Sequence, residues 1–394
     1  MLSFNLSPNI VGLSNIIIKN IFVIQNTTNF EIEMIRTPHK CPCCGTMTNY
    51  VHDYRLQKIK DLPSFGKNVN LLLRKRRYVC PSCHKRFYEN IQFLPRYHRM
   101  TSRVIHETLI LLASTSSFKS VAKQLNLSTT TVVRIFDQLS YKPSTLPSVI
   151  SFDEFKGNAG HEKYQCIITD PENHKIIDIL PNRYKSDLTS YLLKFDTSHT
   201  KVFISDMWGT YRDLAKELFP NACYVIDKYH YVRQIIWALE AIRKEVQQQF
   251  TDHRRKYFKR PKSLLIKHFD TLDDEGKRAV NVMLYTNPKL ALAHSLKEEF
   301  FKVMQSQTRL EAIQSLTAWI NHAQNSNLPR FVVASLTMNN WMTGIVNSFE
   351  TTYTNGFTEG TNNTIKVLKR NAYGYRNFSR FRNRILHMNH AKSS

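Results

Sequence analysis

No run of apolar residues in this sequence approaches the ~20 that a helical membrane span needs, so a spanning protein is not expected. The opening stretch, Met1 to Ile24, is apolar, but it lacks a basic lead and is broken by Asn and Lys, so it does not read as a secretory leader. Acidic residues are scarce: 31 Asp and Glu stand against 55 Lys and Arg, a formal net charge of +24. Such an excess in a chain of ordinary apolar content points to a polyanionic partner, nucleic acid before a membrane surface. Cysteine is nearly absent outside one region. Five of the seven lie between Cys41 and Cys83, whereas Cys166 and Cys223 fall in apolar segments and read as buried thiols. That crowding suits a metal site, not a disulfide framework, and implies a reducing compartment. At 394 residues the chain has room for two or three domains.

What is present begins with those cysteines. Cys41-Pro-Cys-Cys44-Gly and Cys80-Pro-Ser-Cys83 are two C-x-x-C knuckles, and Cys41, Cys44, Cys80 and Cys83 offer the four thiolates of a tetrahedral structural zinc. The 35 residues between Cys44 and Cys80 require an inserted hairpin, with Val69, Leu71 and Leu73, after Gly66, on one strand. Cys43 leaves the register open, as a spare or a substitute ligand. The run Arg74-Lys-Arg-Arg77 fits backbone phosphates, with Arg74, Arg76 and Arg77 as contacts, and equally fits an exposed strand edge.

From Thr101 the apolar period is helical. Val104, Thr108, Leu111 and Leu112 form one face, Phe118, Val121, Ala122 and Leu125 a second, and Val132, Ile135, Phe136 and Leu139 a third. Asn126-Leu127-Ser128 breaks the last two apart, with Ser128 as N-cap. This is a helix-turn-helix pattern, in which Thr129, Thr130 and Arg134 are exposed and placed to touch base edges.

After a proline-bearing linker at Tyr141–Ser148 come five short β-rich runs: 149–155, 164–169, 175–180, 201–205 and 222–226. Amphipathic helices separate the third from the fourth and the fourth from the fifth. A meander followed by strand-helix-strand units predicts an α/β domain with a mixed sheet. From about 230 to 345 only helical periods remain, and within them His253–Lys262 interleaves cations with Tyr257 and Phe258.

Asp153 falls in the first of these strands and Asp206 at the carboxyl end of the fourth. Near the end of the chain, Thr354–Tyr375 reads as a turn at Asn355-Gly356, an N-cap at Thr358 and a helix from Glu359. On that helix Glu359, Asn363 and Lys366 share a face, with Arg370 a turn beyond. A carboxylate followed by cations suits a metal beside a phosphate chain, and also suits an ordinary solvated face. Converging acids call for divalent cations, and hard oxygen ligands select magnesium or manganese. Spacing alone does not choose Asp153 and Asp206 over Glu154, Asp170 or Asp227.

VISFDEF at 149–155, FISDMWGTYRDLAKELFPNACYVIDKYHYV at 203–232 and NGFTEGTNNTIKVLKRNAYGYRNFSRFRNRI at 355–385 resemble the ISL-three family of bacterial insertion-sequence transposases. The resemblance covers nearly the whole chain. It implies a multidomain α+β protein: an N-terminal region with the zinc module at 1–98, a helix-turn-helix domain at 99–142 and an RNase H-like DDE catalytic domain at 149–394, with the helical insertion at about 230–345. It further implies that Asp153, Asp206 and Glu359 are the catalytic acids and hold Mg²⁺ or Mn²⁺, and that Asp227 and His230 lie near the site in an unassigned role, while Lys366 and Arg370, the cations that follow Glu359 on its helix, are expected to contact DNA. The expected function is binding, cutting and joining of element ends to target DNA, as a homo-oligomer in the cytoplasm at the nucleoid. The rival readings are a zinc and helix-turn-helix regulator without chemistry, and a nuclease that cuts without joining.

Overall fold

The computed structural model describes residues 11–249 and 262–393. Most of the basic His253–Lys262 stretch therefore lies outside the described residues. Contacts divide the chain into two units, one running through Tyr141 and including Val367–Gly374 and the chain from Ser379, the other Lys142–Lys366 with Tyr375–Phe378.

The first unit starts with a five-stranded sheet formed by β1 (Ile16–Ile24), β2 (Thr27–Met34), β5 (Val51–Ser64), β6 (Lys67–Val79) and β7 (Arg86–Tyr88). The order is β1-β2-β6-β5, with β7 pairing β6, and a small ribbon pairs β3 (His39–Lys40) with β4 (Met47–Thr48). The hairpin required between the knuckles is β5–β6. Its two-residue turn, Phe65-Gly66, has φ of 50° and 72°, the left-handed pair that matches strand twist. Because β5 and β6 are antiparallel, Val51 lies opposite Tyr78, and the second knuckle returns to the first. Ile32, Ile59, Leu71 and Leu73 fill the core beneath.

Three helices follow, Ser102–Leu112, Phe118–Gln124 and Thr129–Phe136. Asn126, at φ 51°, ends the second through Leu127 N–H to Ala122 O (2.8 Å). Ser128 caps the third as expected, its hydroxyl accepting the Thr131 N–H at 3.1 Å. The helix Phe378–Ser393 joins this group from the far end of the chain. Its Arg384 is fully buried and donates to Ser114 O and Ser116 O at 3.1 and 2.7 Å. His387 bonds Leu109 O at 2.8 Å and packs edge-on to Phe136.

The second unit contains the sheet β8 (Val149–Phe155), β9 (Gln165–Asp170), β10 (Lys175–Leu180), β11 (Val202–Ser205) and β12 (Cys223–Ile226), in order β10-β9-β8-β11-β12. β8 to β10 form an antiparallel meander, whereas β11 and β12 run parallel to β8. Helices Lys185–Leu192 and Gly209–Leu218 cover one face, burying Leu188, Leu192, Tyr211 and Leu214 on Ile150, Phe152 and Phe203. This is the RNase H-like arrangement. The insertion runs from the helix Lys228–Gln248 to the helix Met342–Asn347, around a core that includes Ile235, Leu239, Leu296, Phe300, Trp319 and Phe331. The period Leu310, Ile313, Leu316 and Ile320 predicts the buried face of its Arg309–Asn325 helix only in part: Leu310 is exposed, and Ala312, Leu316, Trp319 and Ile320 turn inward.

Candidate functional site

Strand register puts three aspartates at one edge. Ser151 of β8 lies opposite Ile204 of β11, and Ile204 opposite Val225 of β12. Two residues further on come Asp153, still in β8, and Asp206 and Asp227, the residues directly after β11 and β12. Val149, Ile204 and Val225 share one face of the sheet, and alternation brings the acids to the carboxyl end of that face. Neighbouring strands are about 4.8 Å apart.

The helix Gly356–Asn371 is pinned at its start onto the same edge. Ser151 Oγ donates to Asn355 Oδ1 at 2.7 Å, and Asn355 N–H reaches Asp227 Oδ1 at 3.2 Å. The hydroxyls of Thr169 and Thr358 meet at 2.7 Å, and Asn362 Nδ2 donates to Asp153 Oδ2 at 2.9 Å. Asn355, Thr358, Asn362 and Ile365 therefore form the buried stripe, with Glu359 half-buried at its margin. Two expectations are corrected here. The helix begins at Gly356, so Thr358 is no cap, and Asn355 O accepts the Glu359 N–H at 3.0 Å. Asn363 and Lys366 are exposed, and the amide that meets the acids is Asn362.

The acids feel one another. Burial, then Glu154, Asp227 and Glu359, push Asp153 up to about 7, against the Glu154 N–H that bonds its Oδ1 at 2.7 Å. Burial, then Glu154 and Asp153, push Asp206 up to about 7, opposed by Arg183 and Arg233. Glu359 is raised by burial and by Asp227, while Arg233 and Lys366 pull it down. Burial raises Asp227 as well. His230 Nε2 lies 3.9 Å from Asp227 Oδ2, and burial drops its imidazole to about 4, which leaves it neutral.

Two cations that sequence reasoning missed flank the acids. Arg183 pairs with Glu154 and lies over the rings of Tyr164 and Trp208. Arg233 lies over Trp237 at 4.4 Å and Tyr229 at 5.1 Å, one helical turn after His230. Its spacing of four residues from each aromatic was the available signal.

The donors at this edge fit a hard divalent cation. The acids supply carboxylate oxygens, and Asp206 Oδ1 and Asp227 Oδ2 are buried without a hydrogen bond among the described residues. Unpaired buried carboxylate oxygens crowded by like charges are costly unless a cation joins them. The thiolate cluster is drawn tighter. Among the described residues only Cys41, Cys44, Cys80 and Cys83 form a metal-type group with every ligand atom within 4.8 Å of the others. Cys41 Sγ lies 3.6 Å from Cys83 Sγ and Cys44 Sγ 3.4 Å from Cys80 Sγ. Sulfurs about 3.8 Å apart are what a zinc tetrahedron with ~2.3 Å bonds requires. The knuckles are near copies: Gly45 N–H bonds Cys41 O and His84 N–H bonds Cys80 O, both at 3.0 Å, and Gly45 and His84 both have positive φ. Cys43 is exposed and outside the group.

The expected DNA contacts divide. Thr129, Thr130 and Arg134 are exposed on the third helix of the first unit, and Lys366 and Arg370 are exposed on the Gly356–Asn371 helix. Arg74 is half-exposed, bound to Glu33 at 3.0 Å and stacked on Tyr54. Arg77 lies 3.5 Å from Asp53. Arg76 is a correction: it is 4% exposed and bonds Glu33, Glu89 and Met34 O, so it is committed inside the fold.

Proteins that bind a DNA site with a helix-turn-helix and bring acids to the edge of an RNase H-like sheet form a recognised class, the DDE transposases, and this chain falls in it. Residues 150–385 match the ISL3 family model described as "Transposase". Residues 37–83 match the "zinc-finger of transposase IS204/IS1001/IS1096/IS1165", and residues 89–140 the "Helix-turn-helix domain of transposase family ISL3". The chain belongs to the ISL3 family of transposases. It is 27% identical over 351 residues to the transposase for insertion sequence element IS1001 of Bordetella parapertussis, covering 85% of both chains. It is 22% identical over 316 residues to the transposase for insertion sequence element IS1557 of Mycobacterium tuberculosis, covering 71% of this chain and 70% of that one. Among the described residues no helix is long and apolar enough to cross a membrane.

Proposed function

We propose that this transposase binds the ends of its own mobile element, cuts there and joins the freed 3′ ends to target DNA. The observation that carries the reading is the meeting of Asp153 and Asp206, on and directly after adjacent parallel strands, with the Glu359 helix through the Asn362–Asp153 hydrogen bond. Asp153, Asp206 and Glu359 would hold magnesium or manganese, which would supply activation of water and neutralisation of charge on the phosphate. In cutting, the water oxygen bonds to phosphorus and the 3′ oxygen leaves with a proton. In joining, that 3′ hydroxyl attacks a target phosphodiester and the target's own 3′ oxygen departs. Asn362 and the Glu154 N–H fix the direction of the Asp153 carboxylate. Thr129, Thr130 and Arg134 read base edges, while Arg74, Arg77, Lys366 and Arg370 take backbone phosphates. Zinc is structural, and copies of the chain pair on DNA because two ends must be joined together.

The test uses purified full-length protein, an element-end duplex and a supercoiled target, with and without Mn²⁺. Cation-dependent nicking and a joined product are expected. Asp153→Asn, Asp206→Asn and Glu359→Gln should each cut at least about 100-fold slower, a loss of ~2.7 kcal/mol in transition-state stabilisation, while still binding DNA. Full activity in any of the three overturns the reading.

A further inference from the structure

The chain leaves the catalytic sheet at Asp227 and must return with Glu359 in place. The base of the insertion is anchored on β12. A Cβ on Gly344 would come within 2.7 Å of Ile226, Asn347 Nδ2 donates to Tyr224 O at 2.9 Å, and the hydroxyls of Tyr231 and Ser348 meet at 2.9 Å. From Thr351 to Thr354 there is no regular structure. The next fixed point is Asn355, which is 1% exposed.

Asn355 is a junction. Its N–H binds Asp227 Oδ1, its side-chain oxygen accepts from Ser151 Oγ, and its carbonyl accepts the N–H of Glu359. One carboxylate oxygen at the exit thus grips the chain at the re-entry, 128 residues later. We infer that Asp227 is a positioning residue: it clips the departing and returning segments together and thereby sets where Glu359 stands. The inference rests on the proposed role of Glu359 as a cation-holding residue. A competing role exists for the same side chain, since Asp227 Oδ2 is buried and makes no hydrogen bond among the described residues. If Asp227 were itself an ion ligand, its charge would matter. If it is a clip, only an acceptor oxygen matters, because the Asn355 N–H is neutral.

Asp227→Ala and Asp227→Asn separate these roles. Mn²⁺ binding is measured by calorimetry on the full chain without DNA, alongside Mn²⁺-dependent cutting of an element end. Asp227→Ala should weaken Mn²⁺ about tenfold or more, the usual effect of losing an outer-shell partner. Asp227→Asn, whose amide oxygen still accepts the Asn355 N–H, should recover to within about threefold of wild type. Ser151→Ala, which removes the other hold on Asn355, should weaken Mn²⁺ in the same direction and less. Circular dichroism confirms that each variant is folded. If Asp227→Ala is not, Asp227→Asn near wild type with Ser151→Ala weakened still supports the clip. Asp227→Asn falling as far as Asp227→Ala, or Asp227→Ala binding Mn²⁺ as wild type does, overturns it. A wild-type protein that binds no Mn²⁺ and cuts no DNA defeats the proposed function itself.

Discussion

Asn362 Nδ2 lies 2.9 Å from Asp153 Oδ2, a hydrogen bond that joins the Glu359 helix to the Asp153 strand, β8, across 209 residues of sequence. The bond orients one acid from the element that carries another. Asn362→Ala should therefore slow cutting about tenfold with DNA binding intact. Asn363→Ala, one residue on and exposed, should stay within about twofold. Equal effects of the two, measured as cutting rates at saturating DNA, would show that the buried stripe is misassigned.

The four-thiolate group should hold about one zinc per chain, measured by metal analysis of full-length protein. Cys43→Ser should leave that stoichiometry unchanged, because Cys43 stands outside the group. Replacing Cys41, Cys44, Cys80 or Cys83 should lower zinc content and the melting temperature of the N-terminal unit together, since site and fold form as one.

The carboxyl-terminal helix should be part of the DNA-recognition fold. Arg384 sits 5.6 Å from the ring centres of both Phe118 and Phe136, and supplies hydrogen bonds to Ser114 O and Ser116 O. Arg384→Ala would strand two carbonyls and open a cavity, at a cost of about 3 kcal/mol. A chain ended at Gly374 should bind element ends more weakly than the full chain and melt earlier in this unit. Unchanged binding and melting in both would count against the helix as an integral part.

Much of this was legible because local chemistry carried it. Runs of β-branched residues placed β8 and β10 at their observed bounds, Val149–Phe155 and Lys175–Leu180. Spacing placed the zinc cysteines, and Phe65-Gly66 lies where the required hairpin turns. The misses came from partners far away in sequence. Arg76 looks solvent-facing in a run of four cations, but Glu33 and Glu89 bury it. Asn363 does share the Glu359 face at i+4, but the face that packs on the sheet is the neighbouring one through Asn355, Thr358, Asn362 and Ile365, about 100° away round the helix, and only the distant partner Asp153 shows this. Nothing in the Phe378–Ser393 pattern announces that its buried arginine serves Ser114 and Ser116.

The final prediction concerns pH and cations together. Without a cation, burial and mutual repulsion hold Asp153 and Asp206 up to about 7 from an ordinary 3.8. A carboxyl raised in the folded state binds protons more tightly there than in the unfolded chain. The stability this contributes is complete below pH ~4 and is lost as pH rises through about 7. The two acids interact, so the loss belongs to the pair, and a shift this large corresponds to on the order of 2–4 kcal/mol. Divalent cations compete with those protons, so Mn²⁺ should raise the melting temperature of the catalytic unit strongly at pH 8 and little at pH 5.5. Asp153→Asn should show the opposite pairing at pH 8: a higher melting temperature than wild type without cation, because one buried charge is gone, and a much smaller rise on adding Mn²⁺. Thermal melts of the two proteins at both pH values, with and without about 5 mM Mn²⁺, measure all of this. A Mn²⁺ effect of equal size at pH 5.5 and pH 8, or one that survives in Asp153→Asn, would place the cation elsewhere.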